Sequence, residues 1–220
     1  MTARVDGTEG RRPSSRGPLQ GYFDTDEGQA LIRRIADLPG RRVLVAVAGA
    51  PGSGKSTLAE ALVARLADAV LVPMDGFHLD DRVLAARGLL ARKGAVETFD
   101  ADGFAALAAR LTQPGREVVF PLFDRLREIA IAGAGVVEPA HRIVVLEGNY
   151  LLLDAAPWNR VRYDLTIGLP VPEAELRRRL EARWQGLGKD AAAVQAHLAN
   201  DLANARRVTK GSRPADLSGL

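Results

Sequence analysis

Arg42-Val-Leu-Val-Ala-Val-Ala48 runs directly into Gly49-Ala-Pro-Gly-Ser-Gly54-Lys55-Ser56-Thr57, and this stretch decides the fold class. The first half is a short, uninterrupted apolar run, the pattern of a parallel strand buried on both faces. The second half matches G-x-x-x-x-G-K-[ST], the P-loop pattern. Its glycines, Gly49, Gly52 and Gly54, let the backbone curl so that successive N–H groups, Ser53 included, point at phosphate oxygens. A helix read over Lys55 to Ala67 aims its positive end at the same anion. Lys55 is expected to reach the β- and γ-phosphates, and Ser56, followed by Thr57, to ligate Mg²⁺. The bland alternative is a Gly-rich strand-to-helix turn with no ligand.

Outward from this stretch, strands and helices alternate. Helices are read over Gly28–Leu38, Asp100–Leu111 with Asp100 as N-cap, Glu173–Gln185 and Asp190–Arg206. Strands are read over Val70–Pro73, Glu117–Phe120, Arg142–Leu146 and Leu165–Gly168. Two further short strands, Glu128–Ile131 and Gly135–Glu138, are expected around a Gly-Ala-Gly turn. The alternation predicts an α/β fold of P-loop NTPase type, a mostly parallel sheet flanked by helices. Residues 1–20 read as a disordered leader, rich in Gly, Ser, Arg and Pro. Folded structure is expected from about Tyr22, with 21–220 as a single domain and the last ten residues poorly defined.

Two acids close apolar strands: Asp75 in Val72-Pro-Met-Asp75-Gly-Phe-His78, and Glu147 in Ile143-Val-Val-Leu-Glu147-Gly-Asn-Tyr150. Ligands of open α/β sheets gather at the carboxyl ends of strands, so both acids fall on the edge where a phosphate would sit. Asp75 is expected to accept the proton of an attacking hydroxyl, and Glu147 to support Mg²⁺. The competing reading makes each an ordinary loop carboxylate before a turn glycine. Phe77 and His78 would line the acceptor pocket, or else be a core ring and a surface imidazole. Lys93 would contact anionic substrate or phosphate, or belong to a solvated face. Arg177, Arg178, Arg179 and Arg183 concentrate charge on one helix, with Arg179 and Arg183 four apart on one face. Segment 172–189 is expected to be a helical lid that brings Arg183 or Arg179 onto the phosphates; the alternative is an exposed helix paired with Glu173, Glu175 and Glu181.

The P-loop, Asp75-Gly-Phe77, Arg87-Gly88-Leu89, Lys93-Gly94, Glu97-Thr-Phe-Asp100, Pro121-Leu-Phe123 and Glu147-Gly148 together resemble the pattern of bacterial pantothenate kinases and uridine kinases. Glu147-Gly-Asn-Tyr-Leu-Leu-Leu-Asp154, Trp158, Arg183-Trp184 and Asn200-Asp201…Asn204-Ala205 resemble more closely the small bacterial kinases labelled nucleoside/nucleotide or fructose-transport-system kinases. The resemblance implies ATP- and Mg²⁺-dependent phosphorylation of a hydroxyl on a small metabolite. One departure stands out: where pantothenate kinases carry an aromatic–Ser–His group after the proline, this chain has Phe123-Asp124-Arg125. That argues against pantothenate itself and leaves Arg125 to read hydroxyls or an acidic group. Sugar, nucleoside and pantothenate-like acceptors stay open.

Composition narrows the alternatives. The chain has 220 residues, 47% of them apolar, and no Cys, which excludes disulfides and thiolate chemistry. Its net charge of +3 is a weak field and no sign of a nucleic-acid or membrane partner. The most apolar run is far short of a spanning helix, and the N-terminus has no secretory core, so the protein is expected in the cytoplasm. A homodimer is neither indicated nor excluded. The rivals to a kinase are a hydrolytic P-loop switch coupled to a partner, or a nucleotide-sensing module without catalysis. No guanine-reading N-K-x-D sequence is present, and the residues after Asp75 look acceptor-directed, against a switch.

Overall fold

The computed structural model describes residues 18–219. The expected leader before Pro18 lies outside them. Pro18 to Phe23 form helix α1, so folded structure begins earlier than the sequence reading placed it, and residues 18–20 are helical. Proline suits a first helical turn, where its missing N–H is no loss. Phe23, fully buried, ties α1 to the core.

Helix α2 (Asp26–Ala36) is capped by Thr25 and leads to strand β1 (Val43–Gly49). Helix α3 (Lys55–Val63) and strand β2 (Ala69–Pro73) follow. A single 3-10 turn, Met74–Phe77, then carries Asp75. Helix α4 (Asp81–Ala86) opens a largely irregular, charged stretch, which closes at α5 (Ala101–Leu111). Asp100 caps α5 by accepting from Gly103 N–H at 2.9 Å. Strands β3 (Val118–Asp124) and β4 (Ile129–Val137) form an antiparallel hairpin; β5 (Ile143–Gly148), β6 (Leu165–Leu169), α6 (Glu173–Gly186), α7 (Ala191–Gly211) and β7 (Leu217–Ser218) complete the chain.

The main sheet runs β2-β5-β1-β6-β7, and every pairing in it is parallel. β1 is buried along its whole length, as a central strand must be. Val43, Val45 and Val47 face Leu58 and Leu62 of α3 and Leu31 and Ile35 of α2. Leu44, Ala46 and Ala48 face the other side, where α5, Trp158 and Val208 close a second core. Leu176 and Leu180 of α6 with Leu198 and Leu202 of α7 form a third cluster over Ala50 of the P-loop. Among the described residues, no helix is long and apolar enough to cross a membrane.

Two expectations are corrected. The Gly-Ala-Gly segment does not reverse the chain: β4 runs on through it with a bulge that shifts the register between Phe120 and Leu122, and the reversal lies at residues 125–128. Gly135 is there for close approach, because a Cβ on it would come within 2.4 Å of the Phe120 ring. The tail is also ordered. β7 pairs with β6, and Asp216 accepts from the backbone N–H and hydroxyl of Thr166 at 2.8 and 2.7 Å.

Candidate active site

The P-loop curls because Gly52 and Gly54 take φ of +79° and +92°, a region L side chains rarely adopt. Leu180 of α6 presses on the loop from outside: a Cβ on Gly52 would lie 3.1 Å from its Cγ. Arg179 donates from Nη1 to the carbonyl oxygens of Gly52 (3.4 Å) and Ser53 (3.3 Å), and from Nε to Glu175 (2.7 Å). It therefore holds the loop by its carbonyls; the Ser53 N–H, expected on the phosphate, instead donates to the Ala50 carbonyl oxygen at 3.1 Å and closes the turn of the loop. Ser53 Oγ is buried without a partner, and Gly49 has no Cβ because one would lie 2.5 Å from that oxygen.

Lys55 Nζ stands 3.5 Å from Glu147 Oε1, and Ser56 Oγ donates to the same oxygen at 3.1 Å. These residues meet because β1 and β5 are neighbours in register, Val47 opposite Glu147. β2 flanks β5 on its other side, with Pro73 opposite Glu147, and this brings Asp75 to the same edge. Gly76 permits the turn to press against the hairpin: a Cβ there would sit 2.0 Å from the Pro121 carbonyl oxygen.

The two carboxylates are driven apart. Burial would raise Asp75, but the charges of His78 (where protonated), Arg125 and Lys55 outweigh it and hold the acid below the usual carboxylate range. Glu147 goes the other way, raised chiefly by burial and further by the nearby charge of Asp75, against the pull of Lys55 and Ser56. Opposed shifts in a close acidic pair separate their roles: the depressed acid stays ionised and can take a proton.

His78 donates from Nδ1 to the Asp75 carbonyl oxygen at 2.8 Å, and its ring lies between Phe99 (4.1 Å between centroids) and Phe123 (4.6 Å). Burial lowers its pKa, so it is neutral at neutral pH. Phe77 is only 8% exposed and packs edge-on to Phe104, so the structure puts it in the core, while Phe123 lies against the His78 ring. Lys93 is tied up by neighbours, donating to Asp81 Oδ1 and the Glu128 carbonyl oxygen, both at 2.7 Å. Arg125, from the hairpin turn, forms an ion pair with Asp75.

On α6, Arg183 lies over the Trp184 ring at 5.4 Å, whereas Arg179 meets the loop. Trp184 stacks on His197 at 4.0 Å and donates from Nε1 to Asp201 at 2.8 Å. Asn200 donates to the Lys93 carbonyl oxygen at 2.9 Å, which docks α7 on the acceptor-side loop. Arg178 instead pairs with Glu175, as the exposed-helix reading had it.

A cavity of about 540 Å³ adjoins the P-loop, between Gly168–Pro172 and Val208–Ala215. It is mostly apolar, and Ser212 Oγ in its wall is buried without a partner. Sequence reading missed it. The available signal was the proline-rich Pro170-Val-Pro172 and Arg213-Pro214, spaced along the chain but closing one slot.

A phosphate loop, a lysine, a hydroxyl and two acids at the carboxyl ends of parallel strands, with α6 and α7 packed over the loop, define a P-loop nucleotide-binding protein of kinase type. The family described as an AAA domain matches residues 45–200. A provisionally named uridine kinase of Schizosaccharomyces pombe is 36% identical over 80% of this chain and 82% of its own length. A pantothenate kinase of Parvibaculum lavamentivorans is 30% identical over 69% of this chain, which spans only 52% of that protein. Among solved structures, a protein of Silicibacter sp. TM1040 provisionally named a fructose transport system kinase superposes with a TM-score of 0.81 at 49% identity, covering 87% of this chain and 96% of that one. The chain belongs to the P-loop kinases of the uridine kinase and pantothenate kinase-like group.

Proposed function

We propose that this protein transfers the γ-phosphoryl group of ATP to a hydroxyl of a small metabolite. The observation that carries the reading is Asp75 on the same sheet edge as Lys55, Ser56 and Glu147. A hydrolytic switch has no need of a second, enclosed acid beside an aromatic pocket. ATP would lay its phosphates over Gly52 to Thr57 and its base in the cavity under Pro170. The acceptor hydroxyl would lie between Asp75 and the γ-phosphorus. As the new phosphorus–oxygen bond forms, the bond to the bridging oxygen breaks, its electron pair leaves with ADP, and the hydroxyl proton passes to Asp75.

The site suits Mg²⁺. Ser56 and Glu147 supply hard oxygen donors, and a group with few protein ligands is what Mg²⁺ takes when phosphates complete its shell. Bound there, the ion would neutralise charge on the β- and γ-phosphates. Its charge would also offset the burial that raises Glu147.

The test is an acceptor panel of sugars, nucleosides and hydroxy acids with ATP and Mg²⁺, read as ADP release, with Lys55→Ala as blank. The right acceptor is expected to accelerate ADP release at least about tenfold over ATP alone, with a phosphorylated product. Hydrolysis at one unchanged rate with every acceptor would favour the switch. Thr209→Trp tests the base slot. Thr209 is exposed on α7 and lines the cavity, so an indole there is expected to raise KM for ATP about tenfold with no loss of thermal stability. An unchanged KM would move the base elsewhere.

A further inference from the structure

We propose that the acceptor carries an oxyanion, a carboxylate or a phosphate, near the hydroxyl it presents, and that Arg125 binds that group. The inference rests on the kinase reading and deepens it.

Arg125 and the expected chemistry compete for Asp75. A proton acceptor needs a free carboxylate lone pair, and the guanidinium both occupies one oxygen and weakens its basicity. Asp75 keeps its other oxygen free, and it becomes the stronger proton acceptor when Arg125 moves onto an anion of its own during transfer. Arg125 belongs to the turn between β3 and β4, and its side chain is 57% exposed, so it can swing without unpacking the core.

The neighbouring acids offer it no second partner. Asp124 accepts from the N–H groups of Leu126 and Arg127 at 2.9 and 3.0 Å and pairs with Arg127. Asp81 and Glu128 are engaged by Lys93, and Glu97 by Arg92. The other cations near the pocket are likewise spoken for, and His78 is neutral. Among the described residues, Arg125 pairs with no carboxylate except Asp75. A neutral acceptor that took Asp75 would leave the guanidinium to water alone. An acceptor bringing its own oxyanion exchanges one pair for another, and planar guanidinium suits either a carboxylate or a phosphate bidentately.

The turn is built to present this residue. Lys93 pins its far end through the Glu128 carbonyl, where Glu128 takes φ of +56°, and lies 5.4 Å over the Phe123 ring. With that end held, a swing of Arg125 spans the distance between Asp75 and a group bound just outside it.

Matched acceptor pairs test the inference: a pentose or hexose with its monophosphate, a nucleoside with its 5′-monophosphate, and a hydroxy acid with its amide. Wild type is expected to favour the anionic member by about 10²-fold or more in kcat/KM, and the phosphate and carboxylate arms identify which oxyanion is read. Arg125→Ala is expected to raise KM for the anionic member about 10²-fold and to abolish the preference, and Arg125→Lys to restore part of it. Calorimetric binding of the same pairs reads the preference without turnover. Preference for the neutral member, or an anionic KM indifferent to Arg125→Ala, would overturn the inference and leave the kinase standing. Failure of every pair to accept phosphate would overturn the kinase reading and this inference with it.

Discussion

Asp75→Asn is expected to lower kcat about 10²- to 10⁴-fold, the range for loss of a general base, while ATP still binds. The substitution keeps the shape of the side chain and removes its charge, and with it the proton acceptor and the ion pair to Arg125. The P-loop, Lys55 and Glu147 are untouched, so the affinity for ATP measured by calorimetry should stay within a few-fold of wild type. Turnover close to wild type would remove Asp75 from the base role. The pH profile gives an independent reading. Asp75 is held below the usual carboxylate range, so the free enzyme keeps an ionised base through neutral and mildly acid pH. The acid limb of kcat/KM, which reports the free enzyme, should therefore fall below the ordinary range of about 3.9. The charged groups facing Asp75 are Arg125, Lys55, Glu147 and, once protonated, His78. Removing the guanidinium in Arg125→Ala should move that limb upward, and an unmoved limb would show that another group limits the rate in acid.

Arg42→Ala should cost about 3 kcal/mol of stability, and with it about 6–12 °C in Tm for a domain of this size. Arg42 is 7% exposed and has no carboxylate partner among the described residues. Its guanidinium instead donates to four backbone carbonyls: His141 at 3.1 Å, Gln113 at 3.2 Å, Arg116 at 3.0 Å and Glu138 at 2.8 Å. These carbonyls belong to the segments that end α5, enter β3, leave β4 and enter β5, so one side chain ties the hairpin to the sheet. Truncation leaves the carbonyls short of donors at a site only partly open to water. Arg42→Lys should recover little, because an ammonium cannot fork to four acceptors spread over two loops. A Tm within 2 °C of wild type for the alanine variant would mean that water replaces the guanidinium at no cost.

Much of the site was legible because its signals are local. The P-loop and its strand and helix are contiguous, and their residue types follow from the chemistry of binding phosphate on backbone N–H groups. Asp75 and Glu147 were legible one step less directly, as acids ending apolar runs. The choice between Arg179 and Arg183 was not legible. Both share a helix face, and only the burial of Leu176 and Leu180 against the P-loop sets the helix so that Arg179 meets Gly52 and Ser53 while Arg183 rests on Trp184. Lys93 and Phe77 read as pocket residues because they lie near Asp75 in the chain. Lys93 is turned by Asp81 and Glu128 and Phe77 by Phe104, contacts that no spacing announces.

The sequence by itself determined that a central buried strand feeds a phosphate loop and a helix, since that information is carried by consecutive residues. Strand order is carried by no short window, and the tertiary structure alone decided that β5 lies between β1 and β2. That order puts Glu147 against Lys55 and Asp75 beside both, and so separates the protonation of the two acids. It also closed the cavity beside the P-loop from two distant proline-bearing segments and set Arg125 on Asp75. Composition and periodicity record which face of an element is buried; which distant charge that face meets is fixed only when the sheet assembles.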